Sequence, residues 1–132
     1  MKLLLDTHIL LWSAGDPERI PESTRNLLLD SQTELYFSAA SLWEIAIKRG
    51  MNRSDFSVDP HVLRRELLDN EYEELPITGE HAIFTESLPQ IHKDPFDRIL
   101  VAQATIEGIT LVTADTIVQK YPGPIMPVTL SK

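Results

Sequence analysis

The stretch DPFDRILVAQATIEGITLVTAD, residues 94–115, carries the reading that decides the fold. Asp94 followed by Pro95 is an N-cap and a first-turn proline. The carboxylate can satisfy a free amide at the helix start, and proline has no amide to leave unpaired there. The helix so opened runs to Glu107 and is stopped by Gly108, after which Ile109–Thr113 is a short apolar run suited to a buried strand. The order is helix, strand, then an acid, Asp115, one residue beyond the strand.

Outward from this segment the same order recurs. Lys2–Leu5 is a continuous apolar strand that Asp6 ends abruptly, and Pro21–Asp30 has helical spacing with Leu27 and Leu28 inward. Glu34–Phe37 reads as a strand, and Ser38 caps a helix through Arg49 that stops at Gly50. Asp59-Pro60 repeats the cap-and-proline signal for a helix to about Asp69, and Thr78 opens another through Leu88. Glu74–Ile77 is a marginal strand, Asp115–Lys120 a short helix, and Ile125–Val128 an edge strand, where the neighbouring Pro124 and Pro127 are tolerated. Strands alternating with helices predict an α/β fold, a central, mainly parallel sheet with helices on both faces. Ligands then bind beyond the carboxyl ends of the strands. No repeat, low-complexity tract or linker interrupts residues 1–132, which read as one domain.

Composition narrows the function. The 132 residues include no cysteine, which excludes disulfides, thiolate zinc, iron–sulfur clusters and a cysteine nucleophile, and suits a reducing cytoplasm. The start, MKLLLDTHILLWSAG, mimics a signal peptide, but Asp6 and His8 interrupt its apolar core. No apolar run approaches the ~20 residues of a membrane span, so a soluble protein is expected. Twenty acidic against twelve basic residues, a net charge of −8, argue against a generic polyanion binder. Convergent acids holding divalent cations reverse that inference locally, because the ions then set the field.

Four acids are placed to converge. Asp6 and Asp115 follow strands, Glu44 lies early in the helix after the second strand, and Asp97 is in the first turn of the helix capped by Asp94. Bringing Asp97 to the others requires its helix to pack alongside them. Four carboxylates in one cleft repel and raise one another's pKa unless a cation joins them. Oxygen donors without cysteine or a spaced histidine pair select Mg²⁺ or Mn²⁺ over zinc or copper. A coordinated water, acidified by the ion, can attack phosphorus in line, so the expected reaction is phosphodiester hydrolysis.

Each acid also has a structural use. Glu44 stands three after Ser41, as in a capping box, and four before Lys48, as in a helix ion pair. Asp97 favours its helix dipole, Asp115 can cap the short helix after it, and Asp6 can hold a turn. The histidines at 8, 61, 81 and 92 lack a metal-ligand spacing and are read as solvated or core residues. Trp12, Trp43 and Phe96 are read as core or interface aromatics. Arg98 or Lys48 is a candidate for steadying a phosphate, and the Lys48, Arg49, Arg53 patch is a solvated helix end or a phosphate guide.

The motifs LLLDTHILLW from Leu3, SAASLWEIAIKRG from Ser38, HKDPFDRILVAQA from His92 and LVTAD from Leu111, in this order and spacing, resemble those of PIN-domain nucleases. The likeness is to the VapC-like toxins of bacterial toxin–antitoxin pairs, and it spans the whole length. It implies a three-layer α/β/α sandwich, Mg²⁺ or Mn²⁺ dependence, RNA cleavage, a homodimer and inhibition by a cognate antitoxin. By the same resemblance Asp6, Glu44, Asp97 and Asp115 match the metal-binding acids, Thr7 and Thr113 their hydroxyl neighbours, and Asp94 an additional acid. A basic antitoxin segment suits so acidic a chain. Two rivals are a phosphotransfer enzyme with Asp6 as nucleophile, disfavoured because His8 stands where a second acid would be wanted, and a non-catalytic acidic module for an arginine-rich partner.

Overall fold

The computed structural model describes residues 1–130. Five strands, β1 (Lys2–Leu5), β2 (Glu34–Ser38), β3 (Glu73–Leu75), β4 (Thr110–Thr113) and β5 (Ile125–Pro127), form one sheet in the order β3-β2-β1-β4-β5. Every pairing is parallel. The helices are α1 (Thr7–Gly15), α2 (Glu22–Leu29), α3 (Ala39–Gly50), α4 (Pro60–Asp69), α5 (Gly79–Phe84) and α6 (Pro95–Glu107). Among the described residues no helix is long and apolar enough to cross a membrane.

Alternation along the strands divides the core in two. Leu3, Leu5 and Val112 join Ile9, Leu10, Ile45, Phe56 and Leu63 on one face, while Leu4 and Leu111 join Leu100, Val101, Ala104 and Tyr121 on the other. The sheet is therefore the middle layer of an α/β/α sandwich, as a parallel sheet covered on both faces requires. Leaving β1, the chain builds β2 and β3 outward on one side and then returns to place β4 on the other. That reversal opens a crevice at the carboxyl ends of β1 and β4. Because Leu5 is in register with Val112, the next residues, Asp6 and Thr113, lie side by side at this crevice.

The cap-and-proline signals mark α4 and α6 as expected, with Asp59 and Asp94 accepting from His61 N and Phe96 N. Gly108 ends α6 at φ 68°, a left-handed conformation that costs glycine nothing. Several boundaries differ from expectation. Helix α1 leaves no trace in the sequence pattern, because its apolar residues lie all round and continue the strand's run. Only Asp6, whose side chain accepts from Ile9 N, marks the break. Gly50 lies inside α3, and Asn52 takes the left-handed conformation at φ 58° beyond it. Strand β3 sits a residue earlier and ends before Pro76, which has no amide for the ladder. The α-helical part of α5 stops at Phe84, and the turns expected up to Leu88 continue as a 3₁₀ turn over Thr85–Ser87, whose Thr85 carbonyl accepts from Leu88 N and from the Arg98 guanidinium at 2.7 Å. Of Asp115–Lys120 only Val118–Lys120 is helical, a single 3₁₀ turn, because the Asp115 side chain draws the Ile117 and Val118 amides to itself.

Candidate active site

Asp6 is fastened at both oxygens. Oδ1 accepts from the Ile9 amide at 2.9 Å, and Oδ2 accepts from the Thr113 hydroxyl beside it. Thr113 Oγ1 in turn accepts from the Asp115 amide at 3.0 Å, so one threonine joins the acids that end two adjacent strands. Asp115 spends Oδ1 on the Ile117 and Val118 amides and keeps Oδ2 toward the crevice.

Glu44 comes from α3, which Ser38 caps by accepting from Ala40 N at 3.0 Å. Its residue is 3 % exposed, a burial a carboxylate tolerates only with partners. Thr7 donates to Oε1 at 2.6 Å and Lys48 to Oε2 at 2.5 Å. The i,i+4 pairing expected of Glu44 and Lys48 is thus real. It also commits the Lys48 ammonium to Glu44, so the phosphate-steadying role considered for Lys48 is not what this geometry shows.

Asp97 arrives on α6, whose placement the strand pattern does not dictate. Gln103, fully buried, accepts from Ser38 Oγ at 2.6 Å and donates to the Pro76 carbonyl at 3.3 Å, pinning α6 to the ends of β2 and β3. Trp43 of α3 meets Phe96 of α6 edge-on at 5.2 Å, which makes both interface aromatics between helices. The docked helix carries Asp97 into the field of the other acids. Burial first, then the charges of Asp94, Glu44, Asp115 and Asp6, push the Asp97 carboxyl up to about 8. Burial likewise raises Asp6 to about 6, against the bonds from Thr113 and Ile9 and the charge of His8, which lower it. Raised carboxyls in a crevice mark a site short of positive charge.

Two expectations need correction. The Arg98 guanidinium is turned to its own loop and not offered to a phosphate: Nη1 donates to the carbonyls of Pro89 and His92 and to Tyr121 Oη, and Nη2 to those of Thr85 and Leu88. Its guanidinium clamps the 85–92 loop. His92, expected to be solvated or in the core, instead faces the acids, with Nε2 3.1 Å from Asp97 Oδ2 and 3.7 Å from Asp115 Oδ2. One atom each from His92, Asp97 and Asp115 lies within 4.8 Å of the others. No histidine spacing signals this, because the partners come from α6 and the end of β4. The only sequence cue is that His92 stands two residues before the Asp94 cap. The remaining histidines are structural or solvated. His81 is buried, accepts from Thr78 N at 3.0 Å and meets Glu107 at 2.8 Å. His8 packs on Trp12 and Phe56 beside Asp55, and His61 is open to solvent. The Arg19 guanidinium lies 4.6 Å from the centre of the Trp12 ring.

The sequence and the fold both have counterparts among known proteins. The sequence model of the PIN domain matches residues 3–124. Ribonuclease VapC22 of Mycobacterium tuberculosis is 28 % identical over 126 residues, covering 93 % of this chain and 95 % of that protein. Among solved structures, VapBC2 from Rickettsia felis bound to a promoter DNA fragment superposes with a TM-score of 0.71 at 17 % identity, covering 97 % of this chain and 99 % of that one. DNA-bound VapBC from Salmonella typhimurium gives a TM-score of 0.65 at 21 % identity, over 96 % and 98 % of the two chains. These likenesses extend along nearly the whole of both partners, and the structural ones concern the fold.

Proposed function

The chain belongs to the PIN-domain family, and from that premise we propose that it is a divalent-metal-dependent endoribonuclease, the toxin of a toxin–antitoxin pair. Asp6, Glu44, Asp97 and Asp115 are proposed as the acids that hold the ion, with Thr7, Thr113 and Asp94 supporting them. The observation that carries this reading is Asp97, whose pKa is held up to about 8 by burial and by four other carboxylates acting through space. Acids so gathered fit a hard dication, which answers their repulsion with the oxygen donors Mg²⁺ and Mn²⁺ prefer. When bound, such an ion supplies positive charge for the oxygens at phosphorus and acidifies water.

The protein's own groups do the rest. Thr113 and the Ile9 amide hold the Asp6 carboxylate at the strand end, and Thr7 with Lys48 orients Glu44 from behind. A phosphodiester would approach these acids from beyond the carboxyl ends of β1 and β4, where ligands of such sheets bind. Both Asp6 oxygens are engaged, which disfavours its use as a covalent nucleophile.

Partners are suggested by the surface. At the opposite end of the strands a cleft of about 660 Å³ is lined by Asp30, Glu34, Glu66, Glu71 and Glu73 against a single cation among the described residues, Arg25, together with Leu28, a net acidic and partly apolar face suited to a basic antitoxin segment. Trp43 and Ile47, four apart on α3 and 60 % and 40 % exposed, offer an apolar stripe for a second copy in a homodimer. A cytoplasmic location agrees with the absence of cysteine. The test is incubation of a fluorophore-labelled single-stranded RNA with the protein in Mg²⁺ or Mn²⁺. Cleavage is expected with the ion, and its loss in excess chelator and in Asp6→Asn. An Asp6→Asn protein as active as the native one overturns the assignment.

A further inference from the structure

His92 has no part in the mechanism so far, yet its imidazole is aimed at the acids. Its ring is fixed by its surroundings. Nδ1 accepts from the Asp94 amide at 3.2 Å, the His92 amide donates to Tyr121 Oη at 2.9 Å, and the His92 carbonyl accepts from Tyr121 Oη at 3.3 Å. Tyr121 is buried, and Arg98 donates to it at 3.0 Å. Groups from α6, the loop before it and the turn after β4 thus converge to aim one imidazole.

The three-residue cluster of His92, Asp97 and Asp115 has the spread of a metal triad, but the tautomer speaks against a direct nitrogen ligand. A neutral imidazole has one donor and one acceptor nitrogen. With Nδ1 accepting from a backbone amide, the proton resides on Nε2, which lies 3.1 Å from Asp97 Oδ2 and 3.7 Å from Asp115 Oδ2. Ligation through Nε2 needs the reverse arrangement: a bare Nε2 and a proton on Nδ1 facing the Asp94 amide, donor against donor. Metal-bound histidines instead donate their second N–H to an acceptor.

We propose that His92 is a positioning residue of the cation site, an Nε2–H donor that holds Oδ2 of Asp97 and leaves its other oxygen for the ion. The proposal rests on the reading of the acids as a cation site and adds the group that orients one of them. It also accounts for Arg98 and Tyr121, which fix the loop bearing His92. Outer groups of this kind change metal affinity by roughly 10–100-fold.

The test is Mn²⁺ binding to the full chain, measured by isothermal titration and electron spin echo spectroscopy, alongside imidazole ¹⁵N spectra with and without Mg²⁺. His92→Ala is expected to weaken Mn²⁺ binding about tenfold or more, and His92→Gln, which keeps an N–H at similar reach, to restore most of it. In the native protein Mn²⁺ should show no directly bound ¹⁴N, and the Nε2–H tautomer should persist when Mg²⁺ is added. A directly bound ¹⁴N that disappears in His92→Ala, a switch to the Nδ1–H tautomer with Mg²⁺, or unchanged affinity in folded His92→Ala overturns the positioning role. The spectra on native protein decide the matter even if His92→Ala does not fold. Native protein that binds no Mn²⁺, or Asp97→Asn that binds it as tightly, overturns the cation site itself and the positioning role with it.

Discussion

Replacing Asp97 with asparagine should make the metal-free protein more stable. The sign comes from the raised carboxyl: a group whose pKa is about 8 when folded, against an ordinary value of 3.8, favours the folded state fully only below the lower value. As pH rises between the two, the unfolded chain has lost this proton while the folded protein must still take it up and hold it, and stability falls. One pKa unit corresponds to about 1.4 kcal/mol, which puts the ceiling on this penalty near 5 kcal/mol at pH 7.5. The Asp97 side chain is 18 % exposed, so water screens part of it, and asparagine keeps some cost of burying a polar group. A gain of about 2 kcal/mol is expected after both discounts. For a domain of this size that raises Tm by about 6 °C.

The assay is calorimetry of both proteins in chelator at pH 7.5 and 5.5. The advantage of Asp97→Asn should be clear at the higher pH and fall to about half or less at the lower one, which lies closer to the carboxyl's ordinary value of 3.8, so that less free energy is spent keeping the folded group protonated. Saturating Mn²⁺ should reverse the order, because only the native protein gains binding energy. An Asp97→Asn protein no more stable than native at pH 7.5 without metal refutes the reasoning, since it removes the repulsion on which the site is built.

Other outcomes stem from the same structure. Native protein in chelator should lose stability as pH rises from about 5 to 8, through the raised Asp6 and Asp97, and saturating Mn²⁺ should flatten the slope; denaturant melts at intervals of pH check this. Arg98→Ala should cost about 2–3 kcal/mol in urea unfolding by leaving several carbonyls of the 85–92 loop unpaired, and Arg98→Lys should recover little because an ammonium lacks the planar fork. Leu4→Ala, at a fully buried site in the central strand, should cost about 3–4 kcal/mol by the same measurement. Trp43→Glu should leave the fold intact by circular dichroism and shift sedimentation toward the monomer.

Local signals make much of the fold readable. Asp94-Pro95 and Gly108 bracket α6 because capping and proline geometry act within a few residues of their cause, and Leu3–Leu5 read as a strand because both faces of β1 are covered. Helix α1 escapes because its apolar residues also occupy its less buried side and leave no amphipathic stripe, and the form of the chain after α5 and after Asp115 depends on side chains that bind carbonyls or amides. The acids at strand ends are legible because a parallel sheet sends all its carboxyl ends to one edge. The approach of Asp97 is not, since it depends on Gln103 gripping Ser38, a contact between residues 65 apart in the chain. His92 and Arg98 elude the sequence for a related reason. Identity alone does not say whether a side chain faces a crevice or the backbone of its own loop, and here the histidine does the former and the arginine the latter.

An anomalous difference map from crystals soaked in Mn²⁺ puts the whole proposal at risk in one experiment. Density is expected at the carboxyl ends of β1 and β4, within about 2.0–2.4 Å of oxygens from Asp6 and Asp97 and with Asp115 and Glu44 around it. Saturated crystals with no peak in that crevice, or with manganese bound only at acids elsewhere, such as the cleft of Glu66 and Glu73, contradict the proposal that these four carboxylates form the nuclease centre.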